Sequence, residues 1–93
     1  MFTWDLQKAI LNFEKHGISF EEAVTVFADP KALDWEDLSH SVVELRRKRL
    51  GISSAYRVLI VVYTIRSIDN GKKAIRIISA RQASRKERQA YAG

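Results

Sequence analysis

Apolar positions in the first thirty residues recur three and four apart, whereas those after residue 40 alternate or run together. The chain therefore predicts helices first and strands second. In TWDLQKAILNFEKHG, Leu6, Ala9, Ile10 and Phe13 make one apolar stripe at helical spacing. Thr3 or Asp5 can cap its start, and Gly17 suits a left-handed stop after it. In SFEEAVTVFADP, Ser19 and Glu22 fit a capping box, and Phe20, Ala23, Val24 and Phe27 form the face to be buried. Asp29-Pro30 ends this second helix, because proline lacks an N–H and restricts the residue before it.

KALDWEDLSH predicts a short edge strand and a turn at Glu36-Asp37. SVVELRRKRLGI reads as a long strand ending near Gly51, although its Leu and Arg residues also suit a helix. As a strand it places Val42, Glu44, Arg46, Lys48 and Leu50 on one face, and Val43, Leu45, Arg47 and Arg49 on the other. YRVLIVVYTIRS is apolar on both faces, which predicts a central strand. Asn70-Gly71 is a hairpin-turn signal, and KAIRIISAR is the antiparallel partner beyond it. Ser84 and Glu87 fit a second capping box, so SRKERQAYA opens a terminal helix. The expectation is a single α+β domain over residues 1–93: two N-terminal helices, an antiparallel sheet of about four strands and a C-terminal helix. Helices on one face would leave the other open for polar chemistry.

Charge sharpens this picture. Residues 1–43 hold three lysines and eight acids, a net charge of −5. Residues 44–93 hold thirteen basic residues and three acids, a net charge of +10. Such asymmetry suits a surface for nucleic acid or an acidic partner; the blander reading is a dipolar soluble domain. The chain has no cysteine, which excludes disulfides and thiolate metal sites. No apolar run approaches the roughly 20 residues of a membrane span. The N-terminus lacks a signal-peptide pattern, so the expected location is cytoplasmic, with no membrane partner.

Metal chemistry has little support in the sequence. Asp34, Glu36, Asp37 and His40 lie close together, but a solvated turn explains them better than a metal site. There is no phosphate-binding glycine loop and no nucleophile elbow. What remains is cationic: Arg46 and Lys48 on one strand face, Arg66 ending the central strand and Arg81 ending its hairpin partner. Guanidinium groups bind phosphate with paired hydrogen bonds and stay charged. A cluster of them can hold RNA and stabilise a phosphorane-like transition state. RNA supplies its own nucleophile, the 2′-hydroxyl, so cleavage then needs only an acid, a base and cationic support. Glu44, His16, Lys15 and Tyr91 are the candidate proton handlers. Each has an ordinary reading beside this one. Glu44 and Arg46 can form a surface ion pair, and His16 can serve the helix C-terminus. Trp4, Phe13 and Tyr63 suit a core, and Arg85, Lys86 and Arg88 can be the solvated face of the last helix.

Four pieces, in order, carry a resemblance: FTWDLQKAILNFEKHGISFEEAVTVFADP, EDLSHSVVELRRKRLG, RVLIVVYTIR and IRIISARQASRKERQAY. Together they resemble the BrnT family of type II toxins. KHGISFEEA and IISARQASRKERQAY are the most specific stretches. The matching motif residues are Lys15, His16 and Gly17; His40, Glu44, Arg46 and Gly51; Tyr63, Thr64 and Arg66; Ser79, Ala80 and Arg81; and Glu87, Arg88 and Tyr91. ELRRKRLG is more basic than the family usually has. The resemblance implies a RelE-like fold and a ribonuclease toxin that arrests translation; with the residues read above, no metal or other cofactor is expected. It implies a BrnA-type antitoxin with a ribbon-helix-helix domain, a complex of two toxins with two antitoxins, and contact with operator DNA only through the antitoxin. Site residues expected on this basis are Glu44 as base, Arg46 and Arg81 at the phosphate, and His16 or Tyr91 as acid. Lys15, Lys48, Arg66, Arg85 and Arg88 would bind RNA. The alternative is a non-catalytic nucleic-acid-binding or regulatory module, and a third reading is a scaffold whose basic surface docks an acidic protein.

Overall fold

In the computed structural model, which describes residues 1–40 and 44–93, the helical hairpin forms where the spacing places it. Helix α1 (Leu6–His16) starts at Asp5, whose carboxylate accepts the Lys8 backbone N–H at 3.0 Å. It stops at Gly17, whose φ of 69° is left-handed. Helix α2 (Phe20–Thr25) is capped by Ser19, which accepts the Glu22 backbone N–H. The capping box is not closed, because the Glu22 carboxylate instead holds Arg57 and Ser53. After α2 the chain tightens into a 3-10 turn (Val26–Ala28). That change of period turns Val26 into the core alongside Phe20 and Ala23, and leaves Val24 and Phe27 at its margin.

Strands β1 (Phe2–Thr3), β2 (Leu33–Glu36), β3 (Arg46–Ile52), β4 (Val58–Ser67) and β5 (Lys73–Gln82) form one sheet in the order β1-β5-β4-β3-β2. As expected, β4 is central and β4–β5 is a hairpin, with Asn70 and Gly71 at φ 62° and 72°. The sheet has five strands rather than about four, and it is mixed: β1 runs parallel to β5, pairing Phe2 with Ile75 and Thr3 with Arg76. Two residues are too few to show a period, so the pattern could not announce β1. The expected orientation of Val42 and Val43 lies outside the described residues. Helix α3 (Arg85–Ala92) carries the full capping box between Ser84 and Glu87.

The helices do not share a face. α2, with Ile18 before it and Val26 after it, covers one side, where these residues with Phe20 and Ala23 meet Leu59, Val61 and Tyr63 of β4 and Ile77 and Ala80 of β5. α3 lies on the other side, where Leu50, Ile60 and Ala83 pack with Val58 and Tyr91. A methyl group at Gly51 would meet Ala32 Cβ at 2.9 Å and Val26 Cγ1 at 3.0 Å, so glycine is what lets the α2 exit cross close over β3.

The apolar stripe of α1 behaves differently from its pattern. Ala9 packs on the core, but Leu6, Ile10 and Phe13 are exposed, and Asn12 is the buried residue of the helix. Instead of lying flat on the sheet, α1 docks on the edge of β5 beyond β1. There the Asn12 carboxamide bonds the backbone of Ala80 in both directions. Trp4 packs against Phe20, and Tyr63 is buried, as their expected core roles require. No helix of the described residues is long and apolar enough to cross a membrane.

Candidate active site

Directly opposed residues on paired strands lie on the same side of a sheet. Lys48 is opposite Trp35 on β2 and Val62 on β4, and Val62 is opposite Ser79 on β5. Two residues along, Leu50 is opposite Ile60, which is opposite Arg81. α3 packs over Leu50 and Ile60 and leaves the row of Lys48 uncovered. Two hollows lie over that open half. One, of about 410 Å³, is lined by Lys15, His16, Lys48, Ile60, Val62, Ser79, Ala80 and Arg81. The other, of about 190 Å³, is lined by Asp37, His40, Arg46, Lys48, Val62, Ile78 and Ser79. Lys48, Val62 and Ser79 are common to both, so the two are halves of one groove.

Local structure explains how these residues meet. Lys15 and His16 are the last turn of α1, carried past the β5 edge by the Asn12–Ala80 bonds. Between Tyr63 and Val62 the β4–β5 register shifts by one residue, so Ile78 is a bulge. The bulge lets Ile77 and Ala80 both face the helical core while Ser79 and Arg81 line the groove. Arg46 and Lys48 alternate with Arg47 and Arg49, which point to the other side. There Asp34 accepts from Arg47 at 2.8 Å, from Arg49 at 3.3 Å and from the Tyr63 hydroxyl. Burial, followed by the Asp34 bond, pushes the Tyr63 phenol up to about 12. The Arg49 guanidinium also lies 5.3 Å over the Phe27 ring. Arg47 and Arg49, two of the four basic residues of ELRRKRLG, thus share the Asp34 carboxylate on the side away from the groove.

The groove is positive, with Lys15, Arg46, Lys48 and Arg81 along it. Arg81 is held in one orientation by Glu87, through parallel bonds of 2.8 and 3.0 Å. Those bonds, outweighing burial, bring the Glu87 carboxyl down to about 2. Asp37 is 6% exposed. Burial raises its pKa, but hydrogen bonds from His40 and Ser39 and the charge of Lys48 outweigh burial and leave it lowered.

The other expected site residues lie elsewhere. Glu44 pairs with Arg66 at 3.2 Å, and neither lines the groove. Arg85 is exposed on α3, and Arg88 donates to the Ala83 carbonyl at 2.9 Å. The Tyr91 hydroxyl donates to Asp29 at 2.6 Å, and its ring packs against Leu50, Ile60 and Ala83. That bond, ahead of burial, raises the phenol pKa. Asp37 and His40, read from sequence as a solvated turn, line the groove; their Asp-x-x-His spacing was the available signal. Trp35, 39% exposed, stands in the same row as Lys48, where strand alternation from Leu33 places it. Among the described residues, no group of three or more His, Cys, Asp or Glu side chains is placed to hold a metal ion. A further hollow, of about 740 Å³, is mostly apolar and lies on the far side by Phe2, Phe27, Pro30 and Ile52. Its one carboxylate, Asp29, is already committed to Lys31, Ile52 and Tyr91.

Residues 4–87 match the model of the family described as "Ribonuclease toxin, BrnT, of type II toxin-antitoxin system". None of the curated proteins matches the chain. Among solved structures, the fold is similar to that of the Brucella abortus ribonuclease toxin BrnT, with a TM-score of 0.65 and 22% identity. That match covers 91% of this chain and 99% of the Brucella chain.

Proposed function

This chain belongs to the BrnT family of ribonuclease toxins from type II toxin–antitoxin systems, and on that premise we propose that its groove cleaves RNA without a metal ion. The observation that carries the reading is the convergence of Lys15, Arg46, Lys48 and Arg81 with His16 in one groove. The cations neutralise a phosphodiester and the charge that builds on it during displacement. Arg81 spends its bonds to Glu87 on a fixed guanidinium plane and keeps further N–H donors for phosphate. His16 transfers a proton. Trp35 offers a face on which a base can stack beside Lys48. Glu44, Arg66 and Tyr91 support the fold and leave the chemistry to the groove.

The consequence in a cell is inhibited translation. A BrnA-type antitoxin with a ribbon-helix-helix domain neutralises the toxin in a two-to-two complex, and operator DNA is reached only through it. Induced expression in a bacterium, alone and with the antitoxin, tests this. Growth arrest and loss of bulk RNA are expected from the toxin alone, with both reversed by the antitoxin and absent in a Lys48→Ala, Arg81→Ala double variant. Normal growth with intact RNA would overturn the toxin reading. The alternative, a non-catalytic basic binding module, uses the same cations but has no need of an imidazole among them.

A further inference from the structure

We propose that His40, held by Asp37, is a second proton-transfer residue of the groove, so that an imidazole stands at each end of the scissile phosphate. This rests on the ribonuclease reading and names a residue of its machinery. RNA cleavage by its own 2′-hydroxyl is an in-line displacement. The O2′–P bond forms as the P–O5′ bond breaks, and the two oxygens lie on opposite sides of phosphorus. One group takes the 2′-hydroxyl proton and another gives a proton to the leaving 5′-oxygen. The products are a 2′,3′-cyclic phosphate and a 5′-hydroxyl, with charge and protons balanced. Two proton carriers on opposite sides and a cation between them are therefore required.

The groove has that layout. His16 lines one half, His40 lines the other, and Lys48 lies in the wall they share. Arg81 stands on the His16 side and Arg46 on the His40 side. His40 Nδ1 lies 3.0 Å from Asp37 Oδ2 and 3.3 Å from Oδ1. The Asp37 backbone N–H donates to the Arg46 carbonyl at 2.8 Å, which ties the pair to β3. Nδ1 also lies 3.0 Å from the Ser39 hydroxyl, but that hydroxyl donates to Asp37 at 3.0 Å, so Nδ1 is left to give its own N–H to the carboxylate and Nε2 is left for substrate. The His40 side chain is 62% exposed, as a group that meets substrate must be. The other charged groups lining its half of the groove, Arg46 and Lys48, are both cations.

A plainer role exists for the same contacts. Asp37 also accepts from the Ser39 hydroxyl at 3.0 Å, so it can be read as the cap of the turn Leu38–His40. The two roles separate at Nε2. In His40→Asn the side-chain N–H can replace Nδ1 as donor to Asp37, so a cap survives and a proton carrier does not.

The experiment uses the purified chain and a 5′-labelled RNA oligonucleotide under single-turnover conditions. Affinity is measured separately on the all-2′-deoxy oligonucleotide, which has no nucleophile. His40→Asn is expected to cut at least about 100-fold more slowly, with affinity and thermal midpoint close to wild type. A substrate with sulfur in place of the bridging 5′-oxygen releases a thiolate that needs no proton. It is expected to restore one of His40→Asn and His16→Asn and leave the other defective. Wild-type cutting by His40→Asn overturns the dyad alone. So does a sulfur substrate that restores neither variant, or both alike. Wild-type protein that leaves RNA intact overturns the ribonuclease reading and the dyad with it.

Discussion

Asn12 and Ala80, 68 residues apart, are joined as two strand residues would be: the Asn12 amide donates to the Ala80 carbonyl at 2.9 Å and its oxygen accepts the Ala80 N–H at 3.0 Å. A third bond runs from the same amide to the Ile18 carbonyl at 3.0 Å. One side chain thus closes the open edge of β5 and fixes the end of α1 that carries Lys15 and His16 to the groove. Asn12→Ala leaves two carbonyls and an N–H without partners in a buried place. The expected cost is about 2–4 kcal/mol in urea unfolding. Asn12→Asp keeps the acceptor but sets a carboxylate against two carbonyls, so it should be no more stable than Asn12→Ala at pH 7. Wild-type stability for either variant would contradict this role.

Glu87 gives a pH signature. Its pKa falls from 4.5 to about 2 on folding. A depressed carboxylate contributes stability above its unfolded pKa and loses it as pH falls through the folded one, here between about pH 5 and 2. Glu22, Asp29 and Asp37 are also lowered and add to the same acid loss. Glu87→Gln keeps the cap geometry and removes the charge. With Arg81 and Glu87 side chains 40% and 29% exposed, solvent screens the pair, and the variant should lose about 1 kcal/mol at neutral pH. Its unfolding midpoint should fall less steeply than wild type across the acid window.

Tyr91 separates architecture from chemistry. Tyr91→Phe removes the bond to Asp29 and should cost about 1–2 kcal/mol, while the cleavage rate stays within about threefold of wild type. A large rate loss at unchanged stability would place the phenol at the reacting phosphate.

Trp35 should report on bound RNA directly. Stacking on a base quenches an exposed indole, and Trp35→Ala is expected to weaken binding by about 1–3 kcal/mol, read by titration with the all-2′-deoxy oligonucleotide. Trp4 is packed against Phe20 and should contribute little to the quench.

Much of this was readable in the sequence because it rests on local physics. Asp5, Gly17, Ser19 and the Ser84–Glu87 box announced helix ends, and Asn70-Gly71 announced the hairpin. Alternation correctly separated Arg46 and Lys48 from Arg47 and Arg49. The misses are tertiary. Nothing in a helical pattern says that Asn12 will be buried and Phe13 exposed, because that depends on docking against a strand edge. Glu44 pairs with Arg66, 22 residues on, a contact across the sheet that no local pattern announces. His40 looked like part of a solvated turn, since burial of Asp37 comes from packing against β3.

The most direct test of the central claim is the chemistry of the cut ends. Purified protein is incubated with an RNA oligonucleotide in excess EDTA, and the products are weighed by mass spectrometry. The groove predicts undiminished cleavage, 2′,3′-cyclic phosphate and 5′-hydroxyl ends, and no cut at a residue carrying a 2′-deoxy sugar. Cleavage abolished by EDTA, or ends bearing 5′-phosphate and 3′-hydroxyl, would contradict a metal-free attack by the 2′-hydroxyl.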